Sequence, residues 1–258
     1  MKPSYHTEWL IEKYYSDEPI KFLFFWGHNK KPQEQVGKFC FSQWFELPFM
    51  VDGITYKTAE HWMMANKALL FGDQKHHDKI VEANHPGEVK ELGRMVWNFD
   101  ELIWRDYRYQ IVVNGNIHKF NQHPEFAQYL INTGDRILVE ASPVDTIWGV
   151  GLAQDNEHIN DPNNWRGLNL LGFALMEVRG FLKEHGHFKG LESAMKVPWK
   201  EFPGIHPYDL FWRMGGGEDY VTRFSKYYDS LSDWDKYIFR LANPQPYDWR
   251  FFYDGPDH

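Results

Sequence analysis

The segment TAEHWMMANKALLFGD, residues 58–73, contains a carboxylic acid and an amine at helical spacing. Thr58 is a favourable N-cap residue, and Gly72 favours the end of a helix. Glu60 and Lys67 lie two helical turns apart, so their side chains share one stripe of the helix. A carboxyl group transfers protons, and an amine acts as a nucleophile when burial lowers its pKa. The segment therefore predicts a helix that presents an acid and an amine on one face.

The same spacing also has a structural interpretation. Glu60 then interacts with the helix dipole, and Lys67 is a solvated surface charge. Spacing alone favours this interpretation, because charged residues on helices are mostly structural. Two later stretches favour the catalytic interpretation instead, LVEASPVDTIWGVGL at 138–152 and GLNLLGFALMEVR at 167–179.

Five short blocks of residues follow one another along the chain. They are Glu60, His61 and Lys67; Gly93 and Arg94; Trp104; Glu140, Asp145, Trp148 and Gly149; and Gly167, Asn169, Leu171, Gly172, Met176, Glu177 and Arg179. Taken in this order, the blocks resemble the NADAR family of YbiA-like N-glycosidases. Each block alone is a weak signal, whereas five in order between about Lys21 and Lys183 are specific. Everything after Lys183 lies outside the resemblance.

The resemblance implies hydrolysis of the N-glycosidic bond between ribose and an exocyclic amine of a base. The implied substrates are riboflavin-pathway phosphoribosylamino-pyrimidines and ADP-ribosylated guanine. Such a bond breaks through an oxocarbenium-like state with two carboxylates, for which Glu60 and Asp145 are the candidates. In a second route the ribose ring opens and Lys67 attacks C1, forming a Schiff base that releases the amine. The sequence leaves both routes open and makes Glu60, Lys67 and Asp145 the candidate catalytic residues.

The resemblance also indicates residues that bind the substrate. The indoles of Trp104 and Trp148 are expected to hold the ribose or the base, although buried tryptophans mostly belong to the core. Arg94 is a candidate for bidentate phosphate binding, with a surface helix arginine as the alternative. Gly149 would let a phosphate approach the backbone, although a tight turn explains it equally well. Asn169 completes the predicted substrate-binding set.

Composition limits the choice of partners. The formal net charge is -8, so the chain lacks the electrostatic footprint of a general DNA-binding protein. A nucleotide-like small molecule is therefore favoured as substrate, with ADP-ribosylated nucleic acid as the alternative. Cys40 is the only cysteine, and the histidines show no metal-ligand spacing, so neither a metal nor another cofactor is expected.

The sequence also bears on localisation. No run of about 18 apolar residues and no signal-peptide pattern occurs, so neither a membrane span nor secretion is expected. We expect a cytoplasmic protein. The sequence does not fix its oligomeric state.

The elements that must position these residues are predicted to be mainly α-helical, with a minor β contribution. We expect a hairpin turning at Asp52-Gly53, a helix from Pro86 through Arg94, a helix capped by Asp100, a helix between Pro124 and Gly134, a strand over 137–142 and a helix over 168–185 that ends at Gly186. The loop 143–151 carries Asp145. One substrate cleft is expected between the Thr58 helix, the Asp100 helix and this loop.

Two domains are predicted. Residues 1–186 form the NADAR-like catalytic domain, and residues 187–258 form an aromatic-rich helical appendage packed on it. In the appendage we expect a turn at Gly215-Gly216-Gly217 and one helix over 220–241. Aromatic side chains bury large areas, so a core role is their default.

Three functions compete at this point. The first is an N-glycosidase, the second a non-catalytic ADP-ribose or nucleotide-binding module, and the third a structural protein that reuses the fold. The combination of Glu60, Lys67 and Asp145 favours the enzyme, because binding alone does not require two acids and an amine.

Overall fold

The computed structural model describes residues 3–16, 19–191 and 195–253. The α-helices are α1 Thr7–Tyr14, α2 Ala59–Leu70, α3 Gln74–Glu82, α4 Pro86–Arg94, α5 Glu101–Asn121, α6 Pro124–Ile131, α7 Leu170–His185, α8 Pro198–Glu201, α9 Gly215–Asp229 and α10 Asp233–Ala242. The strands are β1 Phe22–Phe25, β2 Phe49–Val51, β3 Ile54–Tyr56 and β4 Ile137–Glu140. The predicted mainly α fold with a small β part is confirmed.

The strands form two small sheets. β1 pairs in parallel with β4, in the register Phe22 to Ile137. β2 and β3 form the predicted hairpin, whose turn residues Asp52 and Gly53 have φ of 51° and 77°. Two positive φ angles are what a two-residue hairpin turn matching the strand twist requires. The predicted strand over 137–142 ends earlier, at Glu140.

Local capping chemistry explains where the predicted helices begin and end. The Thr58 hydroxyl accepts a hydrogen bond from the His61 amide at 3.3 Å at the start of α2. Asp100 caps α5, since its carboxylate accepts the amides of Leu102 and Ile103. Gly186, with a φ of 67°, ends α7. The predicted starts at Pro86 and Pro124 are confirmed as well.

The C-terminal segment differs from its prediction. The single helix predicted over 220–241 is two helices, α9 and α10, because the Ser232 hydroxyl caps a new helix by accepting the Asp235 amide. The predicted glycine turn lies instead in the first turn of α9. A Cβ on Gly217 would lie 2.0 Å from the Phe211 carbonyl oxygen, so close packing on the short 3₁₀ helix Leu210–Arg213 accounts for a glycine there. α1, α3 and α8 were not predicted.

The chain divides into two compact units. Among the described residues, the first unit lies within 1–49, 56–62 and 106–188, and the second within 50–55, 63–105 and 189–258. The C-terminal segment thus clusters with the middle of the chain rather than by itself. The predicted domain boundary after residue 186 stays a prediction. No helix among these residues has the length and apolar character needed to span a bilayer.

In the first unit, α7 packs on β4 and on α6. The core of the first unit includes a fully buried lysine, Lys119. Its ammonium donates hydrogen bonds to the carbonyl oxygens of Cys40 at 2.6 Å and Ser42 at 3.2 Å. Burial lowers the pKa of Lys119 to about 8.

The core of the second unit is rich in aromatic residues. Its buried members in the C-terminal segment are Val197, Trp199, Tyr220, Phe224, Tyr228, Phe239 and Trp249. The ammonium of Lys200 contacts the carboxylate of Asp52 and the amide oxygen of Asn243, both at 2.8 Å. These contacts tie the segment to the hairpin turn.

Candidate functional site

The structure encloses the amine of Lys67 in a largely apolar environment within the second unit. Its side chain is 9% exposed, and its Nζ lies 3.9 Å from the ring centre of Phe99 and 5.5 Å from that of Trp104. The same Nζ donates a hydrogen bond to the carbonyl oxygen of Gly93 at 2.9 Å. Burial lowers the pKa of Lys67, and the nearby negative charge of Glu101 opposes that shift. Burial thus makes the Lys67 ammonium lose its proton at a lower pH than the ammonium of an exposed lysine.

The end of α4 supplies the hydrogen-bond partner of this amine. Gly93 packs closely on α2, since a Cβ there would lie 2.2 Å from Sδ of Met64. The next residue, Arg94, is exposed, and its guanidinium contacts the carboxylate of Glu91 at 2.6 Å. The phosphate-binding role of Arg94 stays a prediction; in this structure it forms a surface ion pair.

The segment between α4 and α5 brings the ring of Phe99 against the Lys67 amine. Met95, Trp97 and Phe99 are exposed, whereas Val96 is buried. The backbone of Trp97 is fixed, because its amide donates a hydrogen bond to Oδ2 of Asp73 at 2.8 Å. Three large apolar side chains at alternating positions thus face water, and one of them, Phe99, contacts the amine.

The buried carboxylate of Asp73 holds the loop between α4 and α5 in place. It caps α3 by accepting the His76 amide, and it accepts a second hydrogen bond from the His76 ring at 2.6 Å. Burial alone would raise the pKa of Asp73, but the hydrogen bonds from Trp97 and His76 outweigh burial and lower it. The carboxylate therefore stays charged and holds the loop to the start of α3.

Glu60 lies in the first turn of α2, in the part of the helix that belongs to the first unit. It is 4% exposed. Its backbone amide donates to the Gln43 carbonyl oxygen at 2.9 Å, which fixes the start of the helix. An acid this deeply buried is unusual for a residue that only complements a helix dipole.

Asp145 organises the loop after β4. Its Oδ1 accepts the backbone amides of Ile147 and Trp148, both at 2.8 Å. Its Oδ2 receives no hydrogen bond from the residues that the structure describes. One carboxylate oxygen thus holds the loop, and the catalytic role of Asp145 stays a prediction.

Asn169 and Gly149 stabilise this loop through hydrogen bonds. The Asn169 amide nitrogen donates to the Leu138 carbonyl oxygen at 2.9 Å, and its Oδ1 accepts the Glu140 amide at 3.0 Å. The carbonyl oxygen of Gly149 accepts the backbone amide of Asn169 at 3.1 Å. Asn169 is fully buried and has a left-handed φ of 52°. Its side chain therefore joins α7 to β4, and its predicted contact with substrate stays a prediction.

The eight predicted site residues fall into two groups. Lys67, Arg94 and Trp104 belong to the second unit, where Lys67 and Trp104 are in contact. The others belong to the first unit, namely Glu60, Asp145, Trp148, Gly149 and Asn169. Of these, Asp145, Trp148, Gly149 and Asn169 share the hydrogen bonds of one loop.

Asp73, Trp97, Phe99 and Glu101 were not among the predicted site residues. Trp97 and Phe99 belong to an alternation of large apolar residues between Gly93 and the helix cap at Asp100, whereas no such pattern marks Asp73 or Glu101. The described ranges contain no cluster of three or more histidine, cysteine or acidic side chains arranged to hold a metal ion.

Gly167 is required by close backbone packing in the Asp145 loop. A Cβ there would lie 2.3 Å from the Gly149 carbonyl oxygen and 2.7 Å from Cα of Thr146, and neither atom can move freely. Gly167→Ala should therefore destabilise the protein by about 1–3 kcal/mol and displace the loop.

A matched control lies on α7. A Cβ on Gly180 would meet nothing within 4 Å, so Gly180→Ala should stabilise the protein by roughly 0.5–1 kcal/mol. Chemical denaturation of both variants measures the two effects. Equal stability of Gly167→Ala and wild type would contradict the proposed packing.

The C-terminal segment contributes to a cavity of the second unit. Its volume is about 230 Å³. The aromatic residues Phe71, Trp199 and Trp249 line it, together with the polar side chains of Asn98 and His206. The cavity lies beside the loop that carries Phe99, since Phe71 and Phe99 are in edge contact at 5.5 Å.

Comparison with known proteins shows what this chain is similar to. A family model described as the NADAR domain matches residues 24–183. An N-glycosidase of Acanthamoeba polyphaga mimivirus is 45% identical over 168 residues, covering 63% of this chain and 96% of that protein. The protein irg-1 of Caenorhabditis elegans is 35% identical over 138 residues, covering 53% and 65% respectively. The N-glycosidase YbiA of Shigella boydii is 32% identical over 139 residues, covering 54% and 78%.

The matched region contains all the predicted site residues. Several of the similar proteins are named N-glycosidases, and the chain is accordingly an enzyme of that class. The family inferred from the five sequence blocks is confirmed. Residues 24–183 make up more than half of the chain, which therefore belongs to the NADAR domain family.

Proposed function

We propose that this enzyme hydrolyses the N-glycosidic bond between ribose, in a ribose phosphate or ADP-ribose, and an exocyclic amine of a base. The observation that supports it most directly is the environment of Lys67, a buried amine of lowered pKa against Phe99 and Trp104. The N-glycosidases among the similar proteins support the bond class.

The environment of Lys67 favours the Schiff-base route over direct attack by water. A lysine attacks carbon only in its neutral form, and burial favours that form. Lys119 also has a lowered pKa, about 8, but its amine is fully buried against two carbonyl oxygens. Of the two lysines, only Lys67 contacts an exposed side chain, that of Phe99.

The proposed steps balance without an oxidant or reductant. The bond from C1 to the ring oxygen breaks, the oxygen takes a proton, and an iminium forms between C1 and the substrate nitrogen. Neutral Lys67 then bonds to C1, and the base leaves as a free amine after its nitrogen gains a proton. Water adds to the resulting Schiff base, which releases ribose and regenerates Lys67. One water is consumed in each turnover.

The two carboxylates have distinct proposed roles. Glu60 transfers protons to the ring oxygen and to the leaving nitrogen, since it shares a helix with Lys67 and is buried. Asp145, through the oxygen that does not hold the loop, stabilises the cationic intermediates. Trp104, Trp148, Gly149, Asn169 and Arg94 are proposed to shape the substrate site.

Net charge favours one class of substrate within this proposal. A chain of net charge -8 gains little from a nucleic-acid backbone, so a free nucleotide-like molecule is the preferred substrate.

The test is sugar release, measured by mass spectrometry, from a phosphoribosylamino-pyrimidine and from ADP-ribosylated guanosine. Release from the phosphoribosylamino-pyrimidine alone supports the small-molecule substrate. Release from ADP-ribosylated guanosine alone would make ADP-ribosylated guanine the substrate instead. No release from either, together with measurable binding of ADP-ribose, would support a non-catalytic binding module instead.

A further inference from the structure

The cavity of the second unit lies close to Lys67, and the steps described so far do not use it. Phe71 lines this cavity and is the fourth residue after Lys67, so the two residues follow each other on one stripe at the end of α2. The Lys67 Nζ lies 3.9 Å from the ring centre of Phe99, and the ring centres of Phe99 and Phe71 are 5.5 Å apart. These two distances place the amine within about 10 Å of the ring centre of a cavity residue.

The lining of the cavity combines aromatic and polar side chains. Phe71, Trp199 and Trp249 supply aromatic surface, and the ring centres of the two tryptophans are 5.5 Å apart. Asn98 and His206 supply polar atoms. Sites for small molecules have this composition, in which apolar and aromatic walls surround a few polar groups that orient the ligand. The lining therefore fits a planar ring that carries hydrogen-bonding atoms.

Asn98 offers the cavity a side-chain amide. Its φ of 53° is left-handed, a conformation that asparagine adopts more readily than most residues. The amide is both a donor and an acceptor, and it forms no hydrogen bond within the part of the chain that the structure describes. It is therefore available to the edge of a bound ring.

The volume of the cavity restricts the size of its ligand. It is about 230 Å³, the volume of roughly eight water molecules at about 30 Å³ each. This space holds one heterocycle with its substituents, whereas a whole nucleotide needs more. In the proposed reaction the base is attached to the carbon that Lys67 attacks. The base is therefore the planar ring of the substrate that lies nearest to the amine.

The C-terminal segment supplies part of the lining. Trp199, His206 and Trp249 follow residue 183, where the match to the NADAR domain ends, whereas Phe71 and Asn98 lie within the match. The cavity is thus built jointly by the family domain and by the segment after it. Changes in that segment would alter the fit of a base without touching the proposed catalytic residues.

We propose that this cavity binds the heterocyclic base of the substrate, so that the C-terminal segment sets the specificity for the leaving group. The inference rests on the proposed function, because it takes Lys67 as the nucleophile. Bases stack on aromatic side chains through their π faces, and the Asn98 amide bonds to polar atoms at the ring edge.

Ile205→Trp tests this role by filling the cavity. Ile205 lines the cavity and is partly buried, so the larger side chain adds volume there and leaves no hole in the core. KM for a phosphoribosylamino-pyrimidine should rise about 5- to 100-fold, the loss expected when one base no longer stacks. KM for a substrate with the same ribose phosphate and a small non-aromatic amine should stay unchanged.

Asn98→Gly is a second variant, and it removes the amide while keeping the left-handed backbone. It should raise KM for the aminopyrimidine substrate about 2- to 10-fold, as the loss of one hydrogen bond predicts. Leu210→Trp is the matched control, because Leu210 is an exposed residue of the same segment and is not among the residues that line the cavity. It should leave both KM values at the wild-type level.

Two further readouts separate this inference from the proposed function. Ribose 5-phosphate, which carries no base, should form a borohydride-reducible adduct with wild type and with Ile205→Trp to the same extent. A free aminopyrimidine should bind wild type but not Ile205→Trp, as measured by saturation-transfer NMR, which requires no turnover.

The outcomes distinguish the two proposals. If wild type releases sugar, but Ile205→Trp changes KM for both substrates equally or for neither, the cavity does not bind the base. Failure of wild type to bind the free aminopyrimidine would also contradict the inference. If Ile205→Trp does not fold, the KM values of Asn98→Gly decide in the same way. If wild type releases no sugar and forms no adduct, the proposed function itself fails, and aminopyrimidine binding that Ile205→Trp abolishes would still support a base-binding cavity.

Discussion

Lys67→Met should lower kcat about 10³-fold or more, because removal of a covalent nucleophile eliminates the step that it carries. Methionine keeps an apolar chain against Phe99 and Trp104 and removes only the amine. The Gly93 carbonyl loses one hydrogen bond, at a cost of about 1–3 kcal/mol, so the melting temperature should fall by a few degrees only. Borohydride added during turnover should label wild type at Lys67 and leave the variant unlabelled, which peptide mass spectrometry detects.

The pH dependence of the reaction gives an independent test of Lys67. The neutral amine reacts, so kcat/KM should rise with pH through the pKa of Lys67. Burial lowers that pKa and the charge of Glu101 raises it, so the acid limb should lie below the range of a free lysine. Glu101→Gln removes the opposing charge and should move the limb to lower pH.

Lys90→Met is the matched control for the loss of a lysine. Lys90 lies on α4, in the same unit, and is exposed. It should leave kcat, labelling and the pH profile unchanged. Turnover by Lys67→Met at the wild-type rate, with no labelling of wild type, would favour the water route with two carboxylates. A large loss of melting temperature in Lys67→Met would instead favour a structural role for this lysine.

Local signals in the sequence account for most helix boundaries. Thr58, Pro86, Asp100, Pro124 and Gly186 are capping or breaking residues, and their effect depends on the nearest few residues. The hairpin turn at Asp52 follows from the same local chemistry. These features could be predicted because the physical cause lies within one helical turn of the residue concerned.

Features that depend on distant contacts could not be predicted in this way. The parallel pairing of β1 with β4 joins residues more than a hundred positions apart. The break between α9 and α10 was missed although Ser232 is a good N-cap, because the apolar spacing continued across it. The turn predicted at Gly217 is wrong, because this glycine serves a close approach to the Phe211 carbonyl, a packing property that the local sequence does not reveal.

In the candidate site too, local signals could be predicted from the sequence and distant contacts could not. Glu60 and Lys67 could be placed on one helix from spacing alone, and the family resemblance added Asp145. The burial that lowers the pKa of Lys67 depends on residues that other helices and loops bring to it, among them Phe99 and Trp104. Asp73 acts through the backbone of Trp97, a contact between residues far apart in sequence. No spacing rule encodes that contact.

Glu60→Gln should lower kcat about 10²- to 10⁴-fold, the range found for loss of a general acid or base. Glutamine keeps the size and helical position of the side chain but cannot transfer the proton. The loss should shrink for substrates whose amine leaves readily without protonation. It should therefore vary with the pKa of the leaving amine, measured as kcat for a series of substituted aminopyrimidine substrates.

Glu125→Gln is the control for the helix-dipole interpretation of Glu60. Glu125 is an exposed acid in the first turn of α6, so its loss removes a dipole interaction of about 0.3–1 kcal/mol and no chemistry. Glu60→Gln should still form the borohydride-reducible adduct with ribose 5-phosphate, because this free sugar opens its ring in water without the enzyme and no amine must leave in that reaction. If that adduct disappears as it does in Lys67→Met, or if all leaving groups are slowed equally, Glu60 does not protonate the leaving nitrogen. Its function would then be to maintain Lys67 in the reactive state.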